Sequence, residues 1–575
     1  MHDHYSLHDQ AQLIPFKQKP EYDHEYDLVV VGSGAGGLTA AVTAATSGAK
    51  KVLVVEKTLL YGGTTAFSGG ALWLPLNPLS MAQGSKDTRE QAERYLHSAL
   101  GSDYNKELIS AYLDSAPAMV DYLESRSATR FVPVPAPDYY MHLDGALASG
   151  RTLFTASFDG RRLGKMVKQV RYPLQGYCAF GSMQTDFANI EKWRKPFGSL
   201  RNFSFVTRAL LRYAFDQMRY RKGTLLCNGN GLVGRLLEAA IKADVELWNN
   251  APAVEPIRSG SRVTGIVINK DGKDLRIGAR RGVVVASGGF ARSAELSRKH
   301  LPTQGWTVGP RGNVGDGLRI GKASGGTAPD TLTDNALWTP VSEYRPRGGA
   351  IRTYPHFTLG LTKPGSMIVD GDGNRFANES APYQDLGRAT HAAGVKKEFL
   401  IGDRRHLRQY GMGIALPAPY PIGHLLRRGY LIQAPTIAAL ASKIGIDPRK
   451  LVASVQRFNT FAREGKDLDF GRGEGSYDKA NGDPSVTPNS CMAPLEHGPF
   501  YAVPMYPGTG VTMYGLRTNK DAQVLNSEGE AVPGLYAVGA DAAHFMNGRY
   551  PSGGLTLGPA MVFGFRAGLH IAGQK

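Results

Sequence analysis

The sequence predicts an α/β protein in which one parallel-sheet domain is interrupted along the chain by a second, α+β domain. Three features carry this expectation. Near the N-terminus an apolar run meets a glycine-rich turn and then a helical pattern; a second apolar run soon after ends on an acid; and two further strand-like runs, at 281–289 and 534–541, close on small residues or an acid. At 575 residues the chain is too long for one hydrophobic core and suits two large domains.

The first run, Tyr26-Asp27-Leu28-Val29-Val30-Val31, has the continuous apolar character of a buried parallel strand. It enters Gly32-Ser33-Gly34-Ala35-Gly36-Gly37, and Leu38-Thr39-Ala40-Ala41-Val42 then reads as helix. Strand, GxGxxG and helix in this order form the dinucleotide fingerprint of a Rossmann-type domain. Gly32 permits the tight turn, Gly34 lets backbone approach a pyrophosphate, and Gly37 lets the helix pack on the strand. The helix start at Ala35 and Gly36 offers unpaired N–H groups and a positive dipole end to the phosphates. The second run, Lys51 to Val55, ends at Glu56, 24 positions after Gly32, where a carboxylate can accept both ribose hydroxyls of an adenosine, with Lys57 beside it.

Composition narrows the class. The 70 glycines gather in short runs without a period, which excludes collagen-like and low-complexity chains. Three cysteines, Cys178, Cys227 and Cys491, form no CxxC pair, so neither a disulfide framework nor a zinc site is expected, and a reducing compartment is. Residues 1–25 read as a polar tail without the apolar stretch of a signal peptide, and no run of 18 apolar residues spans a bilayer, so a cytoplasmic protein is expected. The formal charge of +17 admits nucleic acid, membrane surface or anionic cofactor as partners.

Three segments bear on which dinucleotide is held. Tyr61-Gly62-Gly63-Thr64-Thr65-Ala66-Phe67-Ser68-Gly69-Gly70 resembles the loop that covers flavin in the fumarate-reductase-like flavoproteins. Arg281 to Gly289, closing on Ala286-Ser287-Gly288-Gly289, is similar to that group's alanine-threonine-glycine segment, and Gly534 to Asp541 is similar to its C-terminal strand ending in an acid. The resemblance implies FAD, held by Gly63, Thr64, Thr65, Ser68, Gly69, Gly70, Ala286, Gly288, Gly289, Gly539 and Asp541 as well as by the first turn. Covalently flavinylated members carry a histidine just before the threonine; Gly63 stands there in this chain, which implies a non-covalent flavin. The FAD-binding domain is then expected over 26–293 and 495–575, and the substrate-binding catalytic domain over 294–494.

Within 294–494, Ile437-Leu440-Ala441-Ile444 and Leu451-Val455-Phe458-Ala462 have helical spacing, with Pro448 at a helix start; these are read as core. Gly373-Asn374-Arg375-Phe376-Ala377-Asn378-Glu379-Ser380-Ala381-Pro382-Tyr383 resembles the RF-x-NE segment of the same group, continued in the manner of the 3-ketosteroid Δ1-dehydrogenases. Asp467 to Gly473, Pro137-Asp138-Tyr139-Tyr140 and Tyr550-Pro551-Ser552-Gly553-Gly554 extend the likeness over most of the chain. It implies Tyr383 as catalytic base and Tyr139 as the phenol supporting it, with Tyr140 the alternative. It also implies Tyr550 and the Gly554 N–H as donors to a steroid C3 ketone. The chemistry is coherent: donors at the ketone oxygen stabilise an enolate, a phenol takes the C2 proton, and the C1 hydride goes to flavin. Tyrosine ionises near ~10 when unperturbed, so Tyr383 needs a hydrogen-bonding neighbour. The helix expected from Leu555 onward would turn its N-terminus to the flavin. An external electron acceptor and a role in sterol degradation are further implications.

Two rival readings share much of this pattern. One is a 3-keto-5α-steroid 4-dehydrogenase, for which Ser552 would serve a differently arranged site. The other is a fumarate-reductase-like enzyme on a dicarboxylate, which requires clustered arginine and histidine. The positive charge has its own location. From Lys192 to Lys222 nine basic residues face one acid, Asp216, and are interleaved with Trp193, Phe197, Phe203, Phe205, Leu210, Leu211, Phe215 and Met218. A basic, aromatic helix is expected there, as an insertion over 190–222 that touches the inner face of the cell membrane or packs as a solvated face; no nucleic acid is expected.

Overall fold

The computed structural model describes residues 21–574 except 175, 187, 188, 304, 347 and 348. The polar start of the tail lies outside the described residues, and the first strand begins at His24. Two sheets organise the chain. In the first, five strands run parallel in the spatial order Glu246–Trp248, Val52–Val55, His24–Val31, Lys273–Val285 and Ala531–Ala537. Gln523–Leu525 adds to the last strand antiparallel, while Arg262–Lys270 and Ala253–Ser259 extend from Lys273–Val285. Leu28 to Val31 and Val52 to Val55 are buried throughout, as the unbroken apolar runs require of strands covered on both faces. The helix Ala35–Thr46 follows the first strand directly and the C-terminal helix Leu557–Gly573 packs against it.

The second sheet is antiparallel, in the order Arg352–Pro355, Ala336–Tyr344, Phe500–Thr512, Glu398–Asp403 and Ser366–Asp370, with Ile432–Ala434 also paired to Phe500–Thr512. Alternation decides its layers. Met367, Val369, Phe399 and Ile401 pack on one face with the helices Ile437–Ile444 and Pro448–Glu464; Ile368 and Leu400 pack on the other with Leu386 and Leu407. Both helices lie where the apolar spacing predicts, and Asp447 caps the second by accepting the Arg449 N–H at 2.8 Å. Their buried positions are core and lie outside the lining of the cavity described below.

The return to the first sheet comes later than residue 495. Phe500–Thr512 belongs by pairing to the second sheet, and Gln523 begins the next strand of the first. Phe500 and Ala502 sit in the second core whereas Val511 and Met513 pack against the first, so this one strand passes between the two. An apolar run alone does not say which sheet it joins. The basic segment forms the helix Leu200–Tyr220, and no helix among the described residues is long and apolar enough to cross a membrane.

Candidate active site

One cavity of about 610 Å³ is lined both by the glycine turn and Glu56 and by four tyrosines, Tyr139, Tyr383, Tyr477 and Tyr550. At its first end Gly32 has φ +115°, and a Cβ there would stand 2.1 Å from the Ala286 carbonyl oxygen, so only glycine fits. A Cβ on Gly34 would meet only Thr65 Oγ1, at 3.5 Å, which leaves that backbone open to the cavity. The Ala35 N–H at the helix start donates to Thr65 Oγ1 at 3.0 Å, tying the 61–70 loop to the turn. Glu56 ends its strand buried; one oxygen accepts the Ser33 hydroxyl at 2.5 Å, the other the Thr58 N–H and hydroxyl at 3.0 and 2.8 Å. Lys57 pairs with Asp316 at 2.6 Å. A helix start, a carboxylate ending the second strand and glycines with room beside them are the donor set and the space that a flavin dinucleotide needs.

The phenols come from distant stretches. Tyr383 opens the helix Tyr383–Ala392 directly after Pro382. The preceding RF-x-NE turn is held by buried charge: Arg375 pairs with Glu379 and Asp467, each at 2.8 Å. Arg472 donates to the carbonyls of Ser366 and Leu361 at 2.7 and 2.9 Å and to the Ser380 hydroxyl at 3.1 Å. Burial opposes ionisation of Glu379, yet Arg375 and Arg472 outweigh it and hold the carboxyl below its ordinary range. Tyr139 is set by a second buried network. Asp138 accepts Trp73 Nε1–H and Arg151, both at 2.7 Å, and Arg151 also pairs with Asp87 at 2.7 Å. The Tyr139 N–H then donates to the Pro551 carbonyl at 3.0 Å, which fastens this segment to the turn that carries Tyr550.

The three rings converge. Centroids are 6.0 Å apart for Tyr139 and Tyr383, 6.0 Å for Tyr139 and Tyr550, and 5.8 Å for Tyr383 and Tyr550. Gly554, at φ +102°, aims its N–H at the Tyr550 hydroxyl oxygen, 3.0 Å away. A Cβ on Gly554 would lie 2.7 Å from the Trp73 nitrogen, so the turn depends on glycine. Burial, the largest cause, pushes Tyr383 well above the usual phenol value; the neighbouring phenolic charge of Tyr550 adds to this, and the hydrogen bond from Tyr139 acts the other way. Tyr139 is raised by burial too, and so is Tyr550, against the pull of hydrogen bonds from Tyr383, Gly554 and Thr556.

Most sequence-predicted residues line this cavity: Gly32 and Gly34 to Gly37, Glu56, Lys57, Gly63 to Thr65, Ser68 to Gly70, Ala286, Gly288, Gly539, Tyr139, Tyr383, Tyr550 and Gly554. Asp541, Gly289 and Leu555 do not. Asp541 turns its carboxylate inward to accept the Ser287 and Gly289 N–H groups, the latter at 3.0 Å, so it fixes the 287–289 turn from behind. The Leu555 carbonyl accepts His544 Nε2–H at 2.9 Å, and the helix itself begins at Leu557. Tyr140 also leaves the wall, donating to Asp385 at 3.0 Å, and Ser552 is buried away from it. Among the wall residues that the sequence reading did not single out, three bond or pack directly with predicted ones. Asn313 donates to Thr64 Oγ1 at 2.9 Å and to the Gly288 carbonyl at 2.8 Å, Asp316 holds Lys57, and Tyr477 stacks edgewise on Tyr139 at 4.8 Å. The signals available were the glycine-flanked polar pair at 313 and 316 and the closeness of Tyr477 to the Asp467–Gly473 run.

Comparison with known proteins bears on the family and the cofactor. The family described as "FAD binding domain" matches residues 27–557. The chain belongs to that family. It therefore binds FAD, on a fold shared with fumarate reductases and steroid dehydrogenases. It is 38% identical over 560 residues, 95% of this chain and 93% of the relative, to a 4-oxocyclohex-2-ene-1-carboxylate 5-dehydrogenase of Sinomonas cyclohexanicum. It is 35% identical over 572 residues, 96% of this chain and 99% of the relative, to a 3-oxosteroid 1-dehydrogenase of Mycobacterium tuberculosis. The crystal structure of a 3-ketosteroid Δ1-dehydrogenase from Sterolibacterium denitrificans with 1,4-androstadiene-3,17-dione superposes with a TM-score of 0.88 at 36% identity, covering 96% of this chain and all of that one.

Proposed function

We propose that the chain is an FAD-dependent 3-ketosteroid Δ1-dehydrogenase. One observation carries the reading: three phenols and the Gly554 amide meet in the cavity that also contains the nucleotide cradle, and the lining cations Lys57 and Arg171 stand at its Glu56 end. Among the described lining residues the only Lys, Arg or His side chains are Lys57, Arg171 and His544. Lys57 is paired with Asp316, and Arg171 donates to Thr58 Oγ1 and the Leu60 carbonyl at 2.8 and 3.1 Å, close to Glu56. Burial pushes His544 down to about 4, which leaves it neutral. Such a wall suits an uncharged, flat ketone and does not suit a dicarboxylate.

Tyr550 O–H and Gly554 N–H donate to the C3 oxygen and stabilise the charge that gathers there as the C2 proton leaves. Tyr383 receives that proton, and Tyr139 donates to the Tyr383 oxygen, favouring its ionised form. When bound, FAD supplies the acceptor for the C1 hydride. Gly63, in the place of a flavin-bonding histidine, keeps the cofactor dissociable, and an external acceptor must reoxidise it. The relatives named for a cyclohexene carboxylate and for a 3-oxosteroid both desaturate a ring beside a ketone, so the phenols serve either; the largely apolar and aromatic lining, with Lys57 and Arg171 at the Glu56 end, favours the steroid. The position of Ser552, off the wall, favours C1–C2 over C4–C5 chemistry.

The test is anaerobic incubation with a panel of 3-ketosteroids, 5α-reduced 3-ketosteroids and 4-oxocyclohexanecarboxylate, with mass analysis of the products. A 1,4-diene-3-one from androst-4-ene-3,17-dione, lost in Tyr383→Phe with FAD retained, is the expected result. Turnover of the small acid in preference to every steroid rejects the reading.

A further inference from the structure

An ordinary surface helix turns its apolar stripe inward and its charges to water. The helix Leu200–Tyr220 does the reverse. Of its 21 residues only Asp216 is buried. At roughly 100° per residue, Leu200, Leu211 and Met218 fall on one line, and they are 90%, 66% and 78% exposed. Phe203, Leu210 and Phe215 flank that line and are also exposed, and Phe197 just before the helix is 84% exposed. Arg201, Arg208 and Arg219 run exposed along one border of the stripe.

The inward face is fastened by polar bonds. Arg212 donates to Asp159 at 2.9 Å, and Tyr213 O–H to the Phe180 carbonyl at 2.7 Å. Asp216 accepts the Thr224 N–H and hydroxyl at 2.9 and 2.7 Å, so the only acid of 192–222 is turned away from the surface. The outward face is therefore apolar and cationic with no acid of its own. A second copy would bring like charge to like charge, and a nucleic acid would leave the apolar stripe unburied. A bilayer carrying negative headgroups satisfies both halves at once.

We propose that Leu200–Tyr220 docks this protein on an anionic lipid surface, the apolar stripe entering the acyl boundary and Arg201, Arg208 and Arg219 meeting headgroup phosphates. The anchor is coupled to the cavity. Tyr213 holds the Phe180 carbonyl, and the same 171–180 stretch supplies Arg171, Leu174 and Tyr177 to the cavity wall. Docking itself does not rest on the steroid reading, because it requires only the helix face.

The experiment is sedimentation of the full-length holoprotein with vesicles of phosphatidylcholine alone or of an equimolar mixture with phosphatidylglycerol. Binding to the mixed vesicles that weakens with salt is expected. Leu211→Ser/Phe215→Ser/Met218→Ser should lower the bound fraction about tenfold, and Arg201→Gln/Arg208→Gln/Arg219→Gln should abolish the preference for the anionic mixture. Both variants keep FAD and wild-type activity on detergent-dispersed ketone, which separates lost docking from lost folding and from any failure of the activity assignment. A wild-type protein left in the supernatant with both vesicles overturns the proposal. So does lipid-independent self-association that the apolar triple variant abolishes, or equal sedimentation of the wild type and both variants.

Discussion

Replacing Tyr550 by phenylalanine removes one hydroxyl and little else, and the structure says where the loss falls. The Tyr550 oxygen accepts the Gly554 N–H at 3.0 Å and shares hydrogen bonds with Tyr383 and Thr556. In the ligand-free variant that buried N–H loses its partner, a cost of about 1–3 kcal/mol. A bound ketone relieves it, because its oxygen takes the amide instead. Steroid binding should therefore not weaken, and KM should change by less than about threefold. The developing enolate, in contrast, loses one of its two donors, worth ~3–4 kcal/mol or about 10²–10³ in kcat. The Tyr550 contact also favours the neutral form of Tyr383, so its removal makes that phenol easier to ionise and sets the loss toward the lower end. Steady-state rates with androst-4-ene-3,17-dione and an artificial electron acceptor, normalised to bound FAD, measure the effect. A kcat within about threefold of wild type refutes the assignment of Tyr550 to the ketone, and a raised KM with unchanged kcat would mean that ground and transition states are held alike.

Other expectations follow from the same geometry. Because burial holds Tyr383 well above ~10, the ionised fraction grows about tenfold per pH unit, and log kcat/KM should rise with near-unit slope from about pH 7 to 9; a plateau beginning below about pH 8 argues against this base. Glu398 is fully buried in the second sheet with neither carboxylate oxygen hydrogen-bonded among the described residues, and burial raises it from 4.5 to about 8. The folded chain keeps this proton where the unfolded chain has lost it, so stability is complete below about pH 4.5 and falls by about 1.4 kcal/mol per unit up to about pH 8. Glu398→Gln should remove that slope in denaturant unfolding at several pH values; an unchanged slope places the titration elsewhere. Asn313→Ala deletes the two bonds that join Thr64 to Gly288, about 1 kcal/mol each, and should raise the FAD dissociation constant about tenfold or more in fluorescence titration while leaving kcat at saturating FAD nearly intact.

The nucleotide half of the site was legible because each of its glycines has a separate steric duty. Gly32, Gly34 and Gly37 are spaced by the turn, the approach and the helix contact, and a Cβ on Gly37 would indeed lie 2.3 Å from the Gly32 oxygen. Tyr139, Tyr383 and Tyr550 were legible only through resemblance, since nothing in the spacing of three distant tyrosines states that they meet. Asp541 shows why a strand-end acid is ambiguous in sequence: such an acid can face a ligand or bind the neighbouring turn, and here its carboxylate accepts the Ser287 and Gly289 N–H groups. The sheet that Phe500–Thr512 joins could not be read from an expected boundary at 495, because burial reads alike in either sheet. Asn313 escaped because a stitching amide carries no charge and no period.

What separates a neutral steroid from a small ring acid in this cavity is charge, and the phenols are indifferent to it. On the proposed reading both ketones would present the same oxygen to Tyr550 and Gly554 and the same kind of α-proton to Tyr383. A carboxylate must also leave water, and it does so without heavy cost only against a cation or several N–H donors. Among the described lining residues Lys57 is paired with Asp316, Arg171 donates to Thr58 and Leu60 at the Glu56 end, and burial keeps His544 neutral beside the Leu555 carbonyl. Phe357 lies 4.8 Å from Tyr383 and Tyr477 4.8 Å from Tyr139, ring to ring, and Leu337, Val511 and Pro355 line the same cavity; these side chains gain from covering apolar rings. On the proposed reading, substrate choice rests on the side chains around the reactive cluster, and the apolar, aromatic lining of this cavity supports the larger, uncharged ketone.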